Sequence, residues 1–159
     1  MHPPLFFPVP TPGATADLAA RVGDLLAPGD CLLLSGPIGA GKTHFSRSLI
    51  QSLLTTPEDV PSPTFTLVQV YDCPRGQIWH ADLYRLGDVQ EIEELGLSEA
   101  FENAICLVEW PDRLGPDAPQ DALRLTFDTS GTDAEDRRIS FDWTVPGWDA
   151  RLEGLFSDA

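Results

Sequence analysis

Apolar residues recur along this chain with two periods, and the switches between them predict the order of elements. From Ala14 to Leu26, the residues Leu18, Val22, Leu25 and Leu26 fall at helical spacing, with Thr11 or Thr15 as cap and Pro28-Gly29 as stop. Residues 31–35 (CLLLS) are almost wholly apolar, as in a parallel strand buried on both faces. A glycine-rich turn follows, and then Phe45, Leu49, Ile50, Leu53 and Leu54 form one helical stripe over 42–54. Residues 64–72 and 77–84 read as strands around the turn Pro74-Arg75-Gly76. The stretch 88–102 predicts one or two acidic helices broken near Gly96, and 104–110 (AICLVEW) a further buried strand stopped by Pro111. Late strands are expected at 122–128 and 137–143, as a hairpin, and a short helix at 148–156; the proline-rich 5–13 predicts a short strand or extended arm. The fold class that results is α/β: a mixed, mostly parallel central sheet flanked by helices, with late antiparallel strands at its edge.

The 159 residues suit one domain, 1–159, large enough to build a core without staples. Twenty-five acidic side chains face ten basic ones, a net charge of −15, so an autonomous binder of nucleic acid or of an anionic membrane is disfavoured. Cys31, Cys73 and Cys106 are odd in number and widely spaced, with no C-x-x-C, which argues for reduced thiols rather than a disulfide or zinc framework. No apolar run approaches the roughly 20 residues that span a bilayer, and Met1-His2-Pro3-Pro4 has no basic leader character. A cytoplasmic location is expected.

The strongest motif is Gly36-Pro37-Ile38-Gly39-Ala40-Gly41-Lys42-Thr43, a full match to G-x-x-x-x-G-K-[ST] between a buried strand and an amphipathic helix. Glycines let successive backbone N–H groups turn toward an anion, and the helix starting there directs its positive dipole end at the same place. Lys42 supplies a compact charge for the β- and γ-phosphates, and the Thr43 hydroxyl a ligand for Mg²⁺. A P-loop nucleotide-binding fold follows. The only asparagine is Asn103, followed by Ala104, so the N-K-x-D guanine motif is absent and ATP is favoured over GTP. Lys42 is also the only lysine in the chain.

A P-loop needs a second Mg²⁺ anchor, usually a carboxylate ending a neighbouring apolar strand. Glu109, after Ile105-Cys106-Leu107-Val108, has that place. His80 and Asp82 share one face of a strand. Asp82 is a candidate to orient or deprotonate an attacking water or to hold a metal-bound water; an ordinary charge at a sheet edge remains the alternative. His80 reads as a packed or hydrogen-bonded structural residue. Ser62-Pro63-Thr64 lies where a switch segment with a γ-phosphate-sensing hydroxyl would fall, or where an ordinary proline turn would. Core packing is the ordinary role for Trp110, and its position next to Glu109 offers a nucleotide-responsive contact as the other.

Taken together, GxxGAGKTxFSR (36–47), SPTFTLV (62–68), HADLYRL (80–86) and ICLVEWPDRL (105–114) resemble the TsaE family, the bacterial ATPase subunit for tRNA threonylcarbamoyladenosine modification. The agreement is best over 32–114. The resemblance implies a small Mg²⁺-dependent P-loop ATPase, slow alone and not itself the transferase. It would act as an ATP-driven switch on a complex of the transferase and its paralogous partner. That complex modifies the adenosine beside the anticodon of tRNAs reading codons that begin with A, with tRNA contact indirect. It further implies that Lys42 and Thr43 bind phosphate and Mg²⁺, that Glu109 is the metal carboxylate, and that Asp82 is an essential acid. Thr64 would be the switch residue and Trp110 the nucleotide sensor, with Thr11 and Arg138 as candidates near the base and phosphates. Pro37-Ile38, His44 and Val70 depart from the family's usual residues, the first three at variable loop positions.

The competing function is a small-molecule or nucleotide kinase using the same loop. Such kinases usually carry an arginine-rich lid, whereas residues 86–112 hold no Arg or Lys and six acidic residues between Asp88 and Glu102.

Overall fold

A computed structural model describes residues 5–37, 41–55, 60, 67–84, 90–128 and 137–157. Its elements are β1 (Leu5–Pro8), α1 (Pro12–Gly23), β2 (Cys31–Ser35), α2 (Lys42–Leu53), β3 (Val68–Cys73) and β4 (Gly76–Asp82). There follow α3 (Gln90–Leu95), α4 (Leu97–Asn103), β5 (Ile105–Glu109), short 3-10 turns over Pro111–Asp117, β6 (Leu123–Asp128), β7 (Arg138–Asp142) and α5 (Gly147–Ser157).

The strands form one seven-stranded sheet in the order β1-β7-β6-β2-β5-β4-β3. Its centre is parallel: β2 lies between β5 and β6, and β4 is parallel to β5. The margins are antiparallel, through β3 on β4 at one side and β7 on β6 with β1 on β7 at the other. The late hairpin is therefore not wholly an edge addition. Its first strand, β6, runs parallel to β2 inside the sheet, and only β7 and β1 extend it antiparallel. β6 alternates buried Leu123, Leu125 and Phe127 with exposed Arg124 and Thr126. An interior strand with one bare face has the same pattern as an edge strand.

Two apolar layers sandwich the sheet. On one face, Leu32 and Leu34 of β2, Ile78 of β4, and Ile105 and Leu107 of β5 pack with Leu18, Ala19 and Val22 of α1, with Phe45, Leu49 and Ile50 of α2, and with Trp148, Leu152 and Leu155 of α5. On the other, Cys31, Leu33, Cys106 and Val108 pack with Leu97 and Ala100 of α4 and with Leu114. Thr11, not Thr15, caps α1, its hydroxyl accepting from the Ala14 N–H at 3.0 Å. The 3-10 turns after Pro111 are absent from the sequence reading, which took that proline only as a stop. Gly96 separates α3 from α4 with a left-handed φ of 82°.

Three arginines converge where α1 ends. Arg75 donates to the carbonyls of Gly23 and Leu26, Arg151 to the Leu25 carbonyl and the Asp30 carboxylate, and Arg21 to the Leu155 carbonyl. Cations over the last carbonyls of a helix satisfy acceptors the helix cannot pair itself and complement its dipole. The Arg21 and Arg151 contacts also tie α5 to the end of α1 and the segment that follows it.

Candidate active site

The sheet register assembles the site. Leu34 pairs with Glu109 across β2 and β5, and Asp82 with Glu109 across β4 and β5, so the carboxyl ends of three parallel strands lie side by side. Strand alternation puts Ile78, His80 and Asp82 on one face of β4 and Ile105, Leu107 and Glu109 on the same face of β5, under α2. Each of those faces is apolar at its base and acidic at its end. Open α/β sheets bind ligands at this end.

The N-terminus of α2 sits over these residues. Gly41 precedes it with φ 104° and no side chain caps the helix, whose first turn carries no acidic residue. A Cβ on Gly41 would meet nothing within 4 Å, and the first-turn N–H groups that no side chain caps are the donors a helix N-terminus offers to an anion. Gly36 is needed for a different reason. Its φ is 143°, and an added Cβ would stand 2.7 Å from the Phe127 carbonyl oxygen on β6. Lys42 is buried, donates to the carbonyls of Gly36 and Pro37, and lies 3.8 Å from the centre of the Trp110 ring. Trp110 itself has a left-handed φ of 60°, uncommon for a bulky residue, and its indole packs on Tyr84 at 4.9 Å between ring centres. Burial pushes the Lys42 ammonium below its usual value, while Glu109 and Asp82 pull it back up.

Glu109 is 1% exposed, and each of its carboxylate oxygens has its own donor. The Thr43 hydroxyl donates to Oε1 at 2.8 Å, and the His80 ring meets Oε2 through Nε2 at 2.6 Å. Asp82, beside it, accepts from the Tyr84 backbone N–H at 3.0 Å. Burial raises the Asp82 carboxyl above its usual value, and Glu109 raises it further; the Tyr84 N–H, His80 and Lys42 oppose the shift. Among the described residues the buried acidic, basic and histidine side chains are Lys42, His80, Asp82 and Glu109. Buried charge is costly unless paired, and here all of it is gathered at one place.

Thr43 Oγ1 and Glu109 Oε1 are hard oxygen donors that suit Mg²⁺ or Ca²⁺. One hydroxyl and one carboxylate form too small a set for a resident ion, and among the described residues no group of three or more His, Cys, Asp or Glu is arranged to hold one. The pair fits a cation that takes its other positions from phosphate oxygens and water.

Of the residues singled out from sequence, Lys42, Thr43, Asp82, Glu109 and Trp110 come together here, with Gly36, Pro37 and Gly41 framing Lys42. Ile38, Gly39, Ala40 and Thr64 lie outside the described residues. Thr11 is exposed at the start of α1, which the His44 ring ties to α2 through the Pro12 carbonyl at 3.0 Å. Arg138 lies on β7, where it pairs with Asp128 at 3.1 Å and stacks on Phe6. Sequence reasoning missed two partners: His80 as the donor to Glu109, and Tyr84 as the ring behind Trp110. The alternation that put His80 on the face of Asp82 was the available signal for the first.

The family model for the threonylcarbamoyl adenosine biosynthesis protein TsaE matches residues 9–139. The tRNA threonylcarbamoyladenosine biosynthesis protein TsaE of Bacillus subtilis is 37% identical over 131 residues, 82% of this chain and 80% of that protein. The protein of the same name from Rickettsia prowazekii is 40% identical over 98 residues, 62% of this chain and 68% of its own. The crystal structure of YdiB from Bacillus subtilis superposes with a TM-score of 0.78 at 26% identity, covering 99% of this chain and 97% of that one.

Proposed function

The chain belongs to the TsaE family, and from that premise we propose that it is the ATP-hydrolysing switch subunit of tRNA threonylcarbamoyladenosine biosynthesis. The observation that carries the ATPase reading is the meeting of the phosphate-loop lysine, Thr43, Glu109 and Asp82 at the carboxyl ends of β2, β5 and β4.

In this reading the N–H groups opening α2 and the Lys42 ammonium hold the β- and γ-phosphates, after Lys42 exchanges the Gly36 and Pro37 carbonyls for phosphate oxygens. Thr43 and Glu109 would hold Mg²⁺, and the cation would supply positive charge against the phosphates. Asp82 orients the water that attacks the γ-phosphorus, and the bond from that phosphorus to the bridging oxygen breaks to leave ADP. A raised carboxyl suits a group that exchanges a proton with that water. Thr64 senses the γ-phosphate, and Trp110 reports departure of the lysine from its ring. Thr11 and Arg138 belong near the base and phosphates.

The chain is not itself the transferase. It turns over ATP slowly alone and faster on the complex of the transferase and its paralogue, which holds the tRNA and modifies the adenosine beside the anticodon of tRNAs reading codons that begin with A. None of the described helices is long and apolar enough to cross a membrane, in keeping with a cytoplasmic place of action. The absence of Arg and Lys from 86–112 favours this reading over a kinase.

Steady-state ADP release is the test. Turnover should rise when the transferase pair is added, and Lys42→Ala should abolish it in both settings. Rapid phosphoryl transfer to a nucleoside monophosphate, indifferent to the pair, would overturn the reading.

A further inference from the structure

His80 stands out within the site because it is fully buried on an apolar strand face and only half satisfied. Its side chain and that of Glu109 are 0% and 2% exposed. Nε2 lies 2.6 Å from Glu109 Oε2, whereas Nδ1 is buried with no hydrogen-bond partner among the described residues. A histidine retained only to knit β4 to its neighbours would be expected to engage both nitrogens, since buried polar atoms are nearly always paired. A leucine would pack better on a face that carries Ile78 and lies beside Leu107. The one contact His80 makes is to the carboxylate that ends the adjacent strand.

We propose that His80 is a positioning residue: its Nε2–H fixes the rotation of the Glu109 carboxylate so that Oε1, and not Oε2, faces Thr43 and the cation. The partners assign the proton to Nε2, because Glu109 offers an acceptor there and nothing among the described residues accepts at Nδ1. The two carboxylate oxygens are held by different elements, Oε1 by Thr43 from α2 and Oε2 by His80 from β4. The Thr43 hydroxyl has a lone pair free for a cation while its hydrogen stays on Oε1. His80 is the described donor to the other carboxylate oxygen, Oε2. It lies one same-face step behind Glu109 on the neighbouring parallel strand, so its ring leans forward along the strand to reach Oε2. Partners one shell behind a ligand generally set its orientation and are felt in metal affinity.

This inference rests on the Mg²⁺–ATP reading of the site, and the test separates the two. In the full-length protein without nucleotide, the ¹⁵N resonances of the His80 ring should show the Nε2–H form; an Nδ1–H form overturns the proposal. ATP binding is then followed by calorimetry in EDTA and across a Mg²⁺ titration. His80→Ala should weaken Mg²⁺ binding to the ATP-bound protein by about 10–100-fold and leave ATP affinity in EDTA unchanged. His80→Gln, whose amide nitrogen lies as many bonds from Cα as Nε2 does, should recover most of that loss. His80→Asn, too short to reach, should not. Mg²⁺ affinity equal to wild type in folded His80→Ala overturns the proposal, as does an equal loss in the Ala and Gln variants. Should His80→Ala fail to fold, the ring ¹⁵N pattern and the contrast between Gln and Asn decide. A wild-type protein that binds ATP with no dependence on Mg²⁺ instead defeats the reading of the site, and the proposal with it.

Discussion

Asp82 shows at the scale of one residue how a site departs from what stability favours. Its carboxyl is buried beside Glu109, another acid, and is raised above the usual 3.8 of an aspartate. Between 3.8 and that raised value the native state therefore holds a proton that the unfolded chain has already released. Below 3.8 both states are protonated and the group contributes nothing. As pH climbs from there through the raised native value, stability falls, and above it the penalty stays. Asp82→Asn keeps an oxygen for the Tyr84 N–H and removes the buried charge. It should raise the melting temperature at neutral pH, make little difference in acid below 3.8, and abolish hydrolysis. Thermal melts at both pH values check the sign. Trp110 is a second such departure, a bulky residue in the left-handed region between the buried Glu109 and a proline turn. The sequence placed Trp110 beside Glu109 but gave no sign of its backbone, because strain of this kind is imposed by packing and leaves no periodicity.

Among the elements, the phosphate loop is held from below as much as it is shaped for its ligand. Gly36 approaches β6 so closely that Gly36→Ala should cost about 2–5 kcal/mol, from clash with the Phe127 carbonyl and a positive φ. Urea denaturation measures it, and wild-type stability in that variant would refute the contact. α5 is joined by Arg151 through an ion pair to Asp30 and a bond to the Leu25 carbonyl, while its guanidinium stacks on Trp148 of the same helix. Arg151→Ala should lower stability by about 1–2 kcal/mol in the same assay without altering ATP affinity.

Most of the elements were legible in the chain. The helical stripe of Phe45, Leu49 and Ile50, the break at Gly96 and the apolar runs of β2 and β5 each carry their own period or punctuation. So was the placing of His80 and Asp82 on one face. Strand order was not. That β6 lies beside β2, and that β1 pairs with β7, depends on contacts between segments more than a hundred residues apart in the second case, which no local pattern encodes. The pairing of His80 with Glu109 was hidden for the same reason.

Over the whole molecule, a charge of −15 surrounds a site whose single lysine is buried. Buried also are Cys31 and Cys106, neighbours across β2 and β5. Burial pushes the Cys106 thiol up to about 12 and the Cys31 thiol well above its usual value, while Cys73 is partly exposed. Thiolate is the reactive form. An alkylating reagent at mildly alkaline pH should therefore label Cys73 in the native protein and all three cysteines in denaturant, as mass spectrometry would count.

The order β1-β7-β6-β2-β5-β4-β3 also sets a timetable for the chain as it is made. β2, which launches the phosphate loop, is synthesised early, yet its two neighbours are residues 105–109 and 123–128. β1, earlier still, waits for residues 138–142. Pairings of such separation are slow, because a long loop must close before any contact rewards it. A growing chain thus carries the complete phosphate-loop sequence long before it has the Glu109 strand or the β6 floor under Gly36. On the proposed reading, nucleotide capture should wait for both, late in the making of each molecule.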